Sequence, residues 1–367
     1  MNILLLVSSM HAGGAERVAA TLSRGWVQHG HRVTLVPTFT GKGKLFYPLH
    51  PDVKLTWLAD HLGRLAQTPL VPLVKLRALR KLVKQEKPDV IVSFLTNVNV
   101  MALMATRGLN VPIIVCERTN PAVSSSASSG LQRLRRLLYP HASMVTVQAE
   151  GSVSAMKQLV PNMKRLAVVP NPLPPDLPLP ESREPAASGR QRLVAMGRFV
   201  SSKRFGPLIT VFERLAARFP QWELVIWGDG PLRPELQAMV DGAGLSDRVL
   251  LPGRTQQPWK ELQAADLFVL TSEVEGFPNA LIEAMALGLP CVSVDCPSGP
   301  REITLDGQVA RLVPLYDEAA LEAALSDLMG NPEARQVLAR QGARSVRERF
   351  GLEQVLVHWD RLFSEVK

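Results

Sequence analysis

Cysteine is scarce in this 367-residue chain, and Cys116, Cys291 and Cys296 are too scattered for a disulfide framework or a metal cluster. Cys116 and Cys291 stand in apolar runs and read as small buried hydrophobes. No stretch approaches the roughly 18 uninterrupted apolar residues of a membrane-spanning helix. The opening Met-Asn-Ile-Leu-Leu-Leu-Val has no basic region before its apolar run. It therefore reads as a strand entering a loop and not as a signal peptide. The expectation is a protein held on the cytoplasmic side. The G-x-G-x-x-G spacing of dinucleotide-dependent dehydrogenases is also missing after this first strand, where Gly13-Gly14 stands instead.

Acidic residues are thin in the first half. Residues 1–170 carry 21 Lys+Arg against 7 Asp+Glu, whereas the remainder carries 21 against 26. The net charge of +9 thus belongs to the first half. Such a surface suits a negatively charged partner, a membrane or a nucleic acid.

The length favours two domains, and 46% hydrophobic residues is ordinary for a globular chain. Short apolar runs alternate with helical patterns throughout. Strands are predicted at 3–8, 32–39, 90–94, 112–117, 144–147 and 167–170, then at 192–196, 222–227, 249–251, 267–271, 290–294 and 310–313. Their near-continuous apolar character suits parallel strands buried on both faces, with helices completing βαβ units. The proline-rich stretch from Pro170 to Pro180, continuing to Gly189, can extend neither element. It divides a first domain, 1–170, from a second, 191–350, with 171–190 as linker. A last helix is predicted over about 352–366.

The most informative segment is Glu275-Gly-Phe-Pro-Asn-Ala-Leu-Ile-Glu283. A turn opens onto a helix, whose N-terminus suits an anionic phosphate. Glu275 precedes the turn and could accept from sugar hydroxyls. Glu283 lies inside the helix, on a face that could meet a ribose. The layout fits a nucleotide sugar.

From Ser272 to Pro290 this run resembles the E-x7-E region of retaining GT4-type glycosyltransferases. Gly197-Arg198 with Lys203 resembles their GR-x4-K motif, and Gly13-Gly14-Ala15-Glu16 their N-terminal glycine loop. Gly228-Asp229-Gly230 and Ser298-Gly-Pro-Arg-Glu302 are further similar punctuation, so the resemblance spans almost the whole chain. It implies a GT-B fold: α/β, two Rossmann-like domains with parallel sheets facing across a cleft. It also implies that Arg198 and Lys203 clamp the donor diphosphate, where fixed cations stabilise the leaving charge. Glu275 is then catalytic, Gly13, Gly14, Gly276, Phe277, Asn279, Glu283 and Glu302 are donor-binding, and Gly253-Arg254 sits where the nucleobase edge is read. The resemblance further implies that the C-terminal helix returns to the first domain.

Two departures stand out. Arg204 follows Lys203 where members often have glycine. Glu117-Arg118 occupies the position where many relatives carry a histidine near the reacting sugar, so Glu117 is expected to orient the acceptor or the sugar. His11, in the first βα loop, is a further candidate, although a lone loop histidine is more often only solvated. No Asp-x-Asp occurs anywhere. A metal-held diphosphate usually needs clustered carboxylates, so neither a metal nor another cofactor is expected.

The basic excess concentrates on two amphipathic pieces. Around residues 73–84, Arg77, Arg80, Lys81 and Lys84 fall on one side and leucines on the other. Residues 131–138 carry Arg133, Arg135 and Arg136. Neither piece holds an aromatic residue, and no nucleic-acid module is visible. An anionic membrane surface is therefore the expected partner. The reaction expected is transfer of a sugar from a nucleoside-diphosphate sugar, UDP-linked by preference, to a hydroxyl of a lipid-linked saccharide at the inner face of a bacterial membrane. A soluble-acceptor transferase, a nucleotide-sugar epimerase of the same fold and a non-catalytic sugar-nucleotide-binding protein remain the alternatives.

Overall fold

Strands form where aliphatic and β-branched runs leave no polar face. The computed structural model describes all residues except 40–42, 44, 64–70, 121–127 and 181–188, so part of the expected linker lies outside the described residues. Contacts divide the chain into unit 1, Met1–Pro175 with Phe350–Lys367, and unit 2, Asp176–Arg349.

Unit 1 runs β1 (Asn2–Val7), α1 (Gly14–Gln28), β2 (Arg32–Pro37), β3 (Lys54–Leu55), α2 (Val71–Glu86), β4 (Val90–Phe94), α3 (Thr96–Ala105), β5 (Ile113–Cys116), α4 (Ser129–Leu138), β6 (Met144–Val147), α5 (Val153–Leu159) and β7 (Leu166–Val168). The sheet order is β3-β2-β1-β4-β5-β6-β7, with every pair parallel. Leu4 of β1 pairs with Thr34 on one side and Ile91 on the other. Alternate side chains feed opposite layers. Ile3, Leu5 and Val7 join one core, while Leu4 and Leu6 join the other with α2 residues Leu79, Leu82 and Val83.

Unit 2 runs β8 (Gln191–Met196), α6 (Phe205–Ala216), β9 (Trp222–Trp227), α7 (Arg233–Gly242), β10 (Val249–Gly253), α8 (Pro258–Gln263), β11 (Leu267–Leu270), α9 (Asn279–Ala286), β12 (Cys291–Asp295), α10 (Pro300–Ile303), β13 (Arg311–Pro314), α11 (Glu318–Gly330) and α12 (Pro332–Phe350). Its order is β10-β9-β8-β11-β12-β13, again all parallel. In each unit the order reverses beside the first strand, and the loops after the strands meet there.

The last helix, α13 (Leu352–Val366), belongs to unit 1. It packs on α1 through Trp26, Trp359 and Phe363, with ring centroids 5.2–5.7 Å apart. Every expected strand is present to within two residues; β3 was not anticipated because two residues carry no period. The start of the expected linker is packed and not free. Asn171 and Leu173 are buried, and the Leu173 amide donates to the Phe350 carbonyl at 2.7 Å.

Candidate active site

In unit 2 the loops after β8, β9, β11 and β12 are stitched together by their backbones. The Gly197 amide donates to the Trp227 carbonyl at 3.0 Å, and the Phe199 amide to the Asp229 carbonyl at 3.0 Å. Gly228 has φ +150°, and a Cβ there would lie 1.8 Å from the Gly197 carbonyl oxygen. No side chain fits that approach. Thr271 Oγ1 donates to the Lys203 carbonyl at 2.8 Å, and the Glu273 amide to the Ser202 carbonyl at 2.9 Å. Ser298 Oγ donates to the Gly276 carbonyl at 2.8 Å, and a Cβ on Gly299 (φ +95°) would come 2.7 Å from Pro278 Cδ. The sequence motifs, from Gly197 to Gly299 in the chain, thus form one rim at the sheet's reversal point.

On that rim Lys203 Nζ donates to Glu275 Oε1 at 2.5 Å, with both side chains part-buried. Arg198 is exposed on the same β8–α6 loop. Next to them α9 starts at Asn279, with Pro278 as its cap residue and no side-chain cap. The α9 N-terminus, with its positive dipole end, thus follows the Lys203–Glu275 pair by four residues, and Arg198 stands on the loop that carries Lys203. Glu275 is the acidic member that orients the lysine. Gly276, Phe277 and Asn279 form the turn between them. Burial, reinforced by the Glu275 carboxylate, pushes the Cys296 thiol up to about 12, so this cysteine is no nucleophile.

The remaining donor-side candidates spread around this rim. Glu283 is buried, and its carboxylate accepts from Trp259 Nε1 of α8 at 2.9 Å. Sequence reasoning missed Trp259, which carries no local signal. Gly253 accepts from the Gly228 amide at 2.8 Å, while Arg254 is exposed and 4.0 Å from Asp229. Glu302 lies in α10, where its carbonyl and that of Ile303 accept from Arg349.

In unit 1, Gly13 is the cap residue of α1 and Gly14 its first residue. Glu16 accepts from Ser9 Oγ at 2.8 Å and places a negative charge at the helix start. His11 is exposed.

Glu117 requires correction. It is not open at the strand end but enclosed by protein groups, 3% exposed. Tyr139 donates to Oε1 at 2.5 Å and Thr96 to both oxygens at 3.0 and 2.9 Å, with Arg135 Nη1 3.8 Å away. Burial raises its pKa, opposed by the Tyr139 hydrogen bond, Arg135 and Thr96. This carboxylate anchors α3 and α4 to the strand end. A raised folded-state pKa adds stability below the unfolded value, and that stability is lost as pH rises through the folded pKa. Glu117→Ala should cost about 3–5 kcal/mol, because Arg135 is left buried and unpaired. The melting temperature of Glu117→Gln should rise relative to the parent as the pH is raised above the ordinary glutamate range. A pH-independent difference would contradict this assignment.

The basic surface needs the same correction at two positions. Arg135 is buried against Glu117, not offered to a membrane. Arg80 Nη1 donates to the carbonyls of Ala105 and Arg107 at 2.9 and 2.8 Å, closing the end of α3. Arg77, Lys81, Lys84, Arg133 and Arg136 remain exposed. Beside the last two, Leu134 and Leu137 are exposed as well.

Comparison with known proteins agrees with this geometry. The family "Glycosyl transferase 4-like domain" matches residues 13–172, and "Glycosyl transferases group 1" matches residues 181–345. A Campylobacter jejuni protein, GalNAc-alpha-(1->4)-GalNAc-alpha-(1->3)-diNAcBac-PP-undecaprenol alpha-1,4-N-acetyl-D-galactosaminyltransferase, is 27% identical over 100% of this chain and 99% of its own length. The fold is shared with sucrose-phosphate synthase of Thermosynechococcus elongatus (TM-score 0.86, 17% identity, 100% of this chain and 99% of that one). It is also shared with HepE of Anabaena, solved in complex with UDP (TM-score 0.82, 19% identity, 99% and 100%). This chain is a glycosyltransferase of the GT4-type family, with the GT-B fold.

Proposed function

We propose that the chain transfers a hexosyl or N-acetylhexosaminyl group from a UDP-sugar to a hydroxyl of a lipid-linked saccharide, in bacterial surface-glycan assembly. One observation carries the donor half of this reading: Lys203 is fixed 2.5 Å from Glu275 at the mouth of α9, with Arg198 on the same loop. Cleaving the sugar–phosphate bond builds charge on the departing diphosphate. Two cations and a helix mouth meet that charge without a divalent ion. UDP in the HepE complex and the lipid-linked acceptor in the Campylobacter relative's name support the two substrates. No side chain is placed as a covalent nucleophile in this reading. The acceptor attacks from the face the diphosphate leaves, its proton passes to a diphosphate oxygen, and configuration is retained.

The test is product analysis by mass spectrometry and NMR after incubation with UDP-sugars and an undecaprenyl-diphosphate-linked saccharide, with and without EDTA. An α-linked product at an undiminished rate in EDTA is expected. Abolition by EDTA would end the metal-free part of this reading, and product from donor alone would favour the epimerase.

The acceptor half adds an anionic membrane, met through Arg77, Lys81, Lys84, Arg133 and Arg136 with Leu134 and Leu137 beside the last two. Basic and apolar residues exposed together on α4 suit a headgroup boundary. No helix among the described residues is long and apolar enough to cross a membrane. Each nearby basic residue contributes about 1 kcal/mol. Changing the five to serine should therefore lower co-sedimentation with phosphatidylglycerol liposomes more than about tenfold. Sedimentation equal to the parent's would return these residues to the solvated surface.

A further inference from the structure

Two residues near the Lys203–Glu275 pair hold a backbone conformation that side chains avoid. Arg204 has φ 52° and Tyr316 φ 68°. The left-handed region costs a side-chain-bearing residue about 1–2 kcal/mol, and glycine would relieve it. Arg204 directly follows Lys203, ending the tight turn Ser201–Lys203 and starting α6. Tyr316 comes from the loop after β13, more than a hundred residues later.

Their side chains meet. The Arg204 guanidinium carbon lies 4.4 Å from the Tyr316 ring centroid, and Arg204 Nη2 is 3.8 Å from Glu318 Oε1. The Tyr316 hydroxyl donates to Glu273 Oε2 at 3.3 Å. The Glu273 amide in turn holds the Ser202 carbonyl, and Thr271 holds that of Lys203. The turn carrying Lys203 is thereby fastened from both ends.

Core packing does not account for this arrangement, because Tyr316 remains 62% exposed. The exposed stack returns about 0.5–1 kcal/mol, and with the long Tyr316–Glu273 hydrogen bond and the part-exposed Arg204–Glu318 pair it no more than offsets what two strained residues cost. Strain kept without a net return in stability points to function.

We infer that Arg204 and Tyr316 are positioning residues, a latch that holds Lys203 in one orientation toward the donor diphosphate. The inference rests on the donor role proposed for Lys203. It needs neither residue to touch the donor.

Calorimetric titration with UDP tests it, using variants that the backbone tolerates. Arg204→Gly removes strain, and asparagine in Tyr316→Asn accepts the left-handed region. Each should weaken UDP binding about fivefold, the worth of the lost stack. Neither should lower the melting temperature. Tyr316→Phe, which keeps the ring, should stay within about twofold. In a Lys203→Ala background the losses should vanish, a coupling that a general loosening of the fold does not produce. Unchanged affinity in both variants, or losses that persist without Lys203, would overturn the latch while leaving the donor site standing. A parent protein that binds UDP no better than Lys203→Ala does would remove the donor role itself, and the latch with it.

Discussion

Glu275→Ala should lower kcat by about 10²–10³-fold, the scale on which removing one preorganised polar group from a reacting centre is felt. The expectation combines two losses. The carboxylate 2.5 Å from Lys203 Nζ no longer fixes that ammonium, and no acceptor remains for a sugar hydroxyl. The fold should survive. Glu275 is 14% exposed and Lys203 23%, so leaving the ammonium without its partner should cost about 1–3 kcal/mol, which a two-domain fold can lose without unfolding. Steady-state kinetics beside a thermal melt separate the two effects. Near-normal turnover in a folded protein would contradict the assigned role. Glu275→Gln should recover hydroxyl binding but not lysine orientation, and should fall between alanine and the parent.

Removing the cations should cost still more. Lys203→Ala is expected to reduce kcat/KM by about 10³-fold, close to 4 kcal/mol of transition-state stabilisation. Arg198→Ala should follow with a smaller loss, since its side chain is exposed and less well fixed. If both cations act on one diphosphate, as proposed, the double variant should fall short of the product of the single effects, because groups that act as a unit are not additive. UDP affinity should drop along with turnover. A double variant that kept the parent's UDP affinity would show that the diphosphate is held elsewhere.

The meeting of the unit 2 loops was legible in the sequence because its signals are local. Gly197-Arg198, Lys203 and the Glu275–Glu283 run each sit within a few residues of a strand end, and parallel strands bring their ends together. Long-range partners were not legible. Helical phase placed Arg80 and Arg135 with their basic neighbours. It could not tell that Arg80 would reach the carbonyls ending α3, or that Arg135 would turn toward a carboxylate 18 residues earlier in the chain. The enclosure of Glu117 was missed for the same reason: a strand-end position says where a side chain starts, not whether Tyr139 and Thr96 will surround it. Trp259 and Tyr316 gave no warning either, since each acquires its meaning from a partner in another βα unit.

The return of α13 to unit 1 has a bearing on how the protein is made. Unit 2 is one uninterrupted stretch, whereas unit 1 draws on residues from both sides of it. On a ribosome, unit 2 can close as soon as it emerges. Unit 1 must wait for Trp359 and Phe363 before the aromatic cluster around Trp26 is filled. The opening strands, although made before unit 2, are therefore sealed only after α13 has followed it.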